Sequence, residues 1–396
     1  MNGAESELAF LSGARQRSLI VGAVALVICL IGAYFDHEQF FHAYLMAYVF
    51  WLGIPLGSFG VLMIHHLVGG SWGFAIQRLL EAAIRTFPVM AFLFLPLLLG
   101  LGDLYPWARP ELVAHDAILR QKTLYLNVPF FILRTALYFA IWISVAYFLT
   151  KWSAEQDQTT DDVLVERLQR LSAPGLVLYG LTVTFSAIDW VMSLEPHWFS
   201  TIYGMIFMMS HGLVALAFAV AVSFFLWRRR PLERITAPEV FQDLGNLLLA
   251  FIMLWTYVSF SQFLLIWVEN LQHETPWYLH RITGGWQGIA LALVVLQFAL
   301  PFLLLLSRTL KRKTETLCAI AGLIVFMHLI EMFWFVQPAV RPGHLWVHWL
   351  DFLTPVAIGA LWLSAFVWQL GSRSLYPIHD PRLVAIIEEA REVSHG

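Results

Sequence analysis

The stretch SLIVGAVALVICLIGAYF at residues 18–35 decides the class of fold, because it contains no charged residue. A helix rises about 1.5 Å per residue, so about 20 apolar residues cross the hydrocarbon of a bilayer. Similar runs recur along the 396-residue chain, which predicts an all-α integral membrane protein with about ten transmembrane helices. The predicted spans lie near 18–35, 42–67, 79–102, 128–150, 174–194, 200–227, 243–268, 286–307, 315–337 and 347–370.

The composition supports the membrane class and excludes several others. The chain is 59% hydrophobic and 13% charged, whereas soluble domains carry about 25% charged residues. A net charge of −3 without a basic run argues against nucleic acid as a partner. The apolar composition instead predicts that the chain contacts the lipid bilayer. Its two cysteines, Cys29 and Cys318, cannot supply an iron–sulfur cluster or an attached c-type haem, and no metal is expected.

Basic residues predict the orientation of the chain. Most of the 24 Lys and Arg residues fall in alternate loops, and such loops are usually cytoplasmic. Both termini are then cytoplasmic, with residues 1–372 as a single polytopic domain and 373–396 as a tail. A short helix is predicted from Asp380-Pro381, an amphipathic inner helix over 160–172, and a capping box at Thr236–Glu239.

Ionisable residues in the inner half of the spans form the first candidate site. A charge at mid-bilayer costs roughly 2.5–3.5 kcal/mol on insertion scales, so each calls for a reason. Glu81 and Arg85 are four residues apart, which favours an ion pair on one helix. The pair is either structural or the inner mouth of a proton path that Asp243, Asn246 and His211 extend.

The outer half of the fifth span carries a row of polar residues on one helical face. Thr182, Ser186, Asp189 and Ser193 follow helical spacing. Hydroxyls that lead to a carboxylate are typical of a proton relay, and the alternative is a polar seam that bonds neighbouring helices.

A second acidic group lies in the outer half of the ninth span. His328 and Glu331 are three residues apart and share a helical face. If that face meets Asp189, two carboxylates and a histidine could exchange protons. The alternative to such proton exchange is an ion pair between one of these acids and Arg134, which lies on the fourth span.

The motif DWVMSLEPHWFSTIY at 189–203 is the most distinctive in the chain and includes Trp190, Glu195 and His197. It resembles a signature of the NrfD/polysulfide-reductase-C-like membrane subunits of bacterial alternative complex III. The resemblance extends over nearly the whole chain, through the segments 50–53, 65–73, 104–107, 127–130 and 243–246. It implies two four-helix bundles with two flanking helices, in the bacterial inner (plasma) membrane.

The function that this resemblance implies is respiratory electron transport. Such complexes oxidise menaquinol or ubiquinol and pass electrons to cytochrome c or a terminal oxidase. The implied partners are a second NrfD-like subunit, an iron–sulfur/molybdopterin-like subunit and multihaem cytochromes. The NrfD-like subunits contribute quinol binding and proton translocation and carry no haem, cluster or metal. Where the sister subunit has a histidine after the motif's Trp198, this chain has Phe199, and His197 precedes the tryptophan.

Two other function classes remain open from the residues. Polar groups near mid-bilayer and a weak four-span repeat are also compatible with a secondary transporter. His197 and His211 are 14 residues apart, a spacing that would place two haem ligands at different depths on one helix. A diheme cytochrome b is therefore the third hypothesis.

Overall fold

A computed structural model of the chain describes residues 3–159, 162–227, 238–373 and 380. Over these ranges the backbone forms helices and no strand, so the all-α prediction is confirmed there. Short 3-10 turns lie at Pro106–Ala108, Met192–Leu194 and Gln337–Ala339, and a π-helical segment lies at Leu293–Ala299. The α-helices are α1 Gly3–Phe35, α2 His37–Val68, α3 Ser71–Ile84, α4 Phe87–Leu99, α5 Leu101–Leu104, α6 Pro110–His115, α7 Ala117–Lys122, α8 Val128–Gln156, α9 Asp162–Trp190, α10 Tyr203–Trp227, α11 Pro238–Glu269, α12 Thr275–Ile282, α13 Trp286–Ala292, α14 Leu300–Leu306, α15 Arg308–Arg312, α16 Thr314–Val336 and α17 Leu350–Leu370.

The long helices agree with the predicted number of spans. In the part of the chain that is described, nine helices are long and apolar enough to cross a bilayer, and the bent pair α3–α4 makes a tenth if it is one span. The π segment joins α13 and α14 into one of these nine, Trp286–Leu306. The chain therefore has the architecture of a multi-pass membrane protein.

The third span differs from its prediction. A single helix over 79–102 was expected, but α3 ends at Ile84 and α4 starts at Phe87, with a bend of 40° between them. Pro88 explains the break, because it lacks an N–H and its ring clashes with the carbonyl four residues earlier. Trp362 holds the bend, donating its Nε1–H to the Thr86 hydroxyl at 2.9 Å.

The predicted amphipathic helix over 160–172 is not a separate element. From Asp162 onwards these residues are the first part of α9, which continues through Pro174 to Trp190. The apolar face was predicted correctly, since Leu164 and Leu168 are buried. The capping box that starts at Thr236 and the tail helix that starts at Pro381 lie outside the described residues.

The centre of the fold is the crossing of α2 and α10. These are the two most deeply buried spanning helices, and α2 also contacts α3, α9, α16 and α17. Glycine permits the close approach, because a Cβ on Gly57 would lie 1.8 Å from the backbone oxygen of His211. This crossing brings α10 and α16 within reach of α2 and so positions the buried histidines.

Candidate functional site

The Asp189 cluster, which consists of Arg134, Tyr138 and Asp189, lies where the start of α8 meets the end of α9. Arg134 donates to Asp189 through two nitrogens, with Nε to Oδ2 at 2.8 Å and Nη2 to Oδ1 at 2.9 Å. The Tyr138 hydroxyl donates to Oδ2 at 2.7 Å. Asp189 has no exposed surface, so these three charge-assisted bonds replace water around its carboxylate. The predicted alternative, in which Arg134 pairs with one of the acids, is confirmed.

Aromatic rings enclose the cation of this pair. The guanidinium carbon of Arg134 lies 3.8 Å from the ring centre of Tyr125 and 4.4 Å from that of Phe130. Its Nη1 also donates to the Tyr125 carbonyl at 2.8 Å. Arg134 is therefore neutralised by one carboxylate and covered by two π faces, which suits a cation inside a membrane.

A cavity of about 410 Å³ opens beside this cluster. Among the lining residues, the Trp198 indole has a buried Nε1–H without a hydrogen-bond partner. The Tyr125 hydroxyl is also buried and lies within reach of the Asp189 and Tyr138 side chains. Burial and the nearby Asp189 raise the pKa of Tyr125, so its hydroxyl stays protonated and able to donate. The lining contains no acidic residue and consists of Gln121, Lys122, Leu124, Tyr125, Leu126, Ile188, Met192, Ser193, Pro196 and Trp198.

The ammonium group of Lys122 also belongs to this cavity. Its Nζ donates to the Pro196 carbonyl at 2.6 Å and lies 5.9 Å from the ring centre of Phe199. Burial lowers the pKa of Lys122. The cavity thus combines apolar walls with donors and a cation, which suits a ligand whose polar end accepts hydrogen bonds.

The predicted hydroxyl row is buried along α9 and, at Ser193, in the 3-10 turn that follows it, but it forms no direct relay. Thr182 donates to the Leu178 carbonyl at 2.7 Å, Ser186 to Val183 at 3.0 Å and Ser193 to Asp189 at 2.5 Å. Hydroxyls in helices commonly bond carbonyls three or four residues earlier, and these do so instead of bonding one another. Thr182 in addition accepts from Trp142 Nε1 at 2.8 Å, as the polar-seam alternative expects.

Trp190 and Glu195 pack away from the Asp189 carboxylate. Trp190 Nε1 donates to the Thr135 hydroxyl at 3.2 Å. Glu195 instead forms an ion pair with Arg281 at 2.7 Å and contacts His280 at 3.3 Å. Burial would raise the pKa of Glu195, but these two partners outweigh it and hold the pKa below its ordinary value.

His197 does not lie in the membrane-spanning part of α10. It precedes that helix, and its Nε2 lies 2.6 Å from Oδ2 of Asp116, with half of the side chain exposed. Asp116 is itself the N-cap of α7. His197 and His211 therefore do not share one helix, as the diheme alternative would require, because α10 begins only at Tyr203.

The Glu331 cluster, which consists of Ser210, Trp255, Gln297, His328 and Glu331, is separate from the Asp189 cluster. Trp255 Nε1 donates to Oε1 of Glu331 at 2.6 Å, and Gln297 Nε2 donates to Oε2 at 3.2 Å. His328 Nδ1 lies 3.0 Å from the same Oε2, which the Ser210 hydroxyl also contacts. The expected meeting of Glu331 with Asp189 does not occur, since each carboxylate is surrounded by its own donors.

His211 lies next to the Glu331 cluster, at the crossing of α2 and α10. Its ring centre is 5.9 Å from that of His328, with the ring planes nearly perpendicular. Both ring nitrogens of His211 and Nε2 of His328 are buried without a hydrogen-bond partner. Such atoms are rare in folded proteins and call for an explanation.

The Glu81 cluster, which consists of Gln77, Arg78, Glu81 and Ser153, lies toward the other end of α8. Arg78 Nη1 donates to Oε2 of Glu81 at 2.6 Å, and the Ser153 hydroxyl donates to Oε1 at 2.6 Å. The predicted Glu81–Arg85 ion pair is wrong, because Arg85 turns to the Ser372 hydroxyl at 3.0 Å. Arg78 can reach Glu81 because residues three apart also share a helical face.

Asp243 and Asn246 do not extend this cluster. Asn246 is exposed and accepts a hydrogen bond from Lys311 Nζ at 2.6 Å. Among the residues that the structure describes, neither Asp243 nor Asn246 bonds to Glu81. Arg134 and Ser153 are 19 residues apart on α8, so the Asp189 and Glu81 clusters are separated by about 28 Å along the helix.

Several residues of these clusters were not predicted as site residues. Tyr138 is four residues after Arg134 and Arg78 is three before Glu81, so helical spacing could have indicated both. Gln297 and Trp255 were harder to identify from the sequence, because their only distinguishing feature is a polar group inside an apolar span. Arg281 belongs to a predicted outer loop, and no pattern in the sequence connects it with Glu195.

No group of three or more His, Cys, Asp or Glu residues that could hold a metal ion occurs within 3–159, 162–227, 238–373 and 380. No protein-family model matches the chain, and no curated protein matches it either.

Proposed function

We propose that this chain is a membrane subunit of a respiratory quinol:cytochrome c or quinol:acceptor oxidoreductase of the alternative complex III type. It binds the quinol head group and contributes a path for protons. The observation that carries the proposal is the apolar cavity of about 410 Å³, which is lined by Lys122, Tyr125 and Trp198 and lies beside the Arg134–Asp189 pair. The motif at 189–203 adds the resemblance to that family.

The cavity suits a quinone by chemistry. A quinone ring is apolar and its carbonyl oxygens accept hydrogen bonds, which the Tyr125 hydroxyl and the Trp198 indole can donate. Cavities of about 300–1,000 Å³ with apolar walls and a few directed polar groups are typical of small-molecule sites. The isoprenoid tail of the quinol extends from such a site into the lipid.

The proposed reaction releases two protons and two electrons from each quinol as it becomes a quinone. The electrons pass to haem or iron–sulfur groups of partner subunits. The second NrfD-like subunit and a terminal oxidase are further proposed partners. Lys122 is the cation of the cavity lining, and its ammonium group would stabilise the negative charge that develops as the proton leaves the quinol. The proposed location is the bacterial inner membrane, with both termini cytoplasmic.

Quinone binding to the purified full-length chain in lipid nanodiscs tests this proposal. Tyr125→Phe and Trp198→Phe keep the aromatic packing and remove one donor each. Each is expected to weaken the binding of a short-chain ubiquinone or menaquinone about fivefold, because a net hydrogen bond contributes about 1 kcal/mol. Tyr147→Phe is the matched control, since Tyr147 lies on α8 with 58% of its surface exposed.

Binding of neither quinone to the wild-type chain would contradict the proposal. Equal affinities of the wild type and of both donor variants would contradict the assignment of the cavity.

A further inference from the structure

The notch at Gly53 is formed by α2 where it faces two histidines of neighbouring helices. A Cβ on Gly53 would lie 3.0 Å from Nε2 of His328 and 3.3 Å from Nε2 of His211. The edges of both imidazole rings therefore occupy the space that a side chain at position 53 would fill. Glycine at this position is what allows the two rings to approach one another across α2.

Both rings are buried, with 3% of His211 and 1% of His328 exposed. His328 uses Nδ1 toward Glu331 at 3.0 Å, so its unpartnered Nε2 is the atom that faces the notch. A buried polar atom without a partner costs about 1–3 kcal/mol, and His211 and His328 together present three. A purely structural packing role would be served better by apolar side chains of similar size.

We propose that His211 and His328 form a proton-exchange pair across the notch at Gly53, which carries protons between the Glu331 cluster and the crossing of α2 and α10. A proton enters on Glu331 and binds Nδ1 of His328 as Nε2 of that ring releases its own proton. Because the two rings are not hydrogen-bonded to each other, a water molecule between the two Nε2 atoms passes the proton on to His211. This inference rests on the proposed function, since it assigns a connection within the proposed proton path.

The surroundings of His211 make His328 its partner for exchange. On α16 the titratable groups near His211 are His328 and, beyond it, Glu331. His328 is also the group that acts electrostatically on His211. The facing part of α2 contributes Gly53, and α11 contributes the ring of Phe251 against Gly212, next to His211.

Proton transport by the complex, isolated through a tag on this chain and reconstituted in liposomes, tests the pair. His211→Leu removes one ring, and Gly53→Ala places a methyl group in the notch without changing an ionisable residue. Both are expected to slow quinol-driven proton transport at least about tenfold. Gly322→Ala is the matched control on α16, because a Cβ there meets nothing within 4 Å, and it is expected to behave as the wild type.

Failure of this inference differs from failure of the proposed function. Normal transport in both His211→Leu and Gly53→Ala would overturn the pair and leave the proposed function standing. A wild-type complex that oxidises quinol without transporting protons would overturn the proton path and the pair together.

A second measurement needs no turnover. In ¹⁵N-histidine spectra of the full-length chain, His328→Leu is expected to shift the titration of His211, because interacting sites titrate as a pair. An unchanged His211 titration would contradict the exchange pair even if the transport variants failed to fold.

Discussion

Arg134 and Asp189 form a two-point ion pair inside the helical bundle, with Nε to Oδ2 at 2.8 Å and Nη2 to Oδ1 at 2.9 Å. Neither partner has water around it, since 7% of Arg134 and none of Asp189 is exposed. The pair fixes the start of α8 against the end of α9, and Arg134 packs on the ring of Tyr125, which lines the proposed quinol site.

Removal of one partner of this pair is expected to destabilise the protein strongly. Arg134→Leu leaves the Asp189 carboxylate buried without its cation, which lowers the free energy of unfolding by roughly 3–5 kcal/mol. The double variant Arg134→Leu/Asp189→Leu should lose less than the sum of the single variants, because the two groups interact directly. Denaturant titration in micelles measures this cycle, and strictly additive losses would contradict the pair.

At the other end of α8, Arg78 and Arg85 are expected to differ in importance. Arg78 is buried between Glu81 and Asp157, whereas Arg85 bonds exposed Ser372. Arg78→Leu should therefore lower the midpoint of thermal unfolding more than Arg85→Leu, because it leaves the buried Glu81 carboxylate with the more distant cation of Arg373, at 3.6 Å, as its ion-pair partner. Similar shifts for both variants would contradict the greater importance of Arg78.

The contact between Glu195 and Arg281 predicts a pH-dependent stability. The pKa of Glu195 in the fold lies below its ordinary value of 4.5, so its contribution is present above that pH and is lost as the pH falls through the folded pKa. Wild type should thus be more stable than Glu195→Gln at pH 7, and the difference should shrink below pH 4.5. Thermal unfolding from pH 7 downward tests this, and a difference that persists at the acid end would be the opposite result.

Ser186 provides a test of the hydroxyl row. Its hydroxyl donates to the Val183 carbonyl of its own helix at 3.0 Å and not to Asp189. Ser186→Ala is therefore expected to leave quinol-driven proton transport at the wild-type rate, whereas Asp189→Asn slows it. Equal losses of proton transport in both variants would support the continuous hydroxyl relay that the helical spacing predicts.

The sequence determined the spans better than the contacts between them. Apolar runs predict helices because lipid requires every backbone group to be bonded within its own helix. Hydropathy does not reveal the bend between α3 and α4, because the residues on both sides of it are apolar, whereas Pro88 indicates a break through its missing N–H. The separate helix over 160–172 was wrong for the opposite reason, since Pro174 does not interrupt α9.

Site residues could be predicted by type but not by partner. Asp189, Glu331 and Glu81 were singled out because a buried carboxylate requires a partner. Arg134 was identified as a partner for the acids, but the choice of Asp189 depends on how α8 packs on α9. Arg78 was overlooked because it precedes the predicted start of its span at residue 79, and Gln297 lies in a π segment that periodicity does not reveal.

Quinol oxidation by the complex that co-purifies with this chain tests the proposed respiratory function. If the chain is tagged and isolated in mild detergent, we expect haem absorption from partner cytochromes, and menaquinol or ubiquinol should reduce those haems. Tyr125→Phe and Trp198→Phe should slow that reduction, while Tyr147→Phe should not. A chain that purifies without haem or iron–sulfur subunits, or a complex whose haems no quinol reduces, would contradict the account.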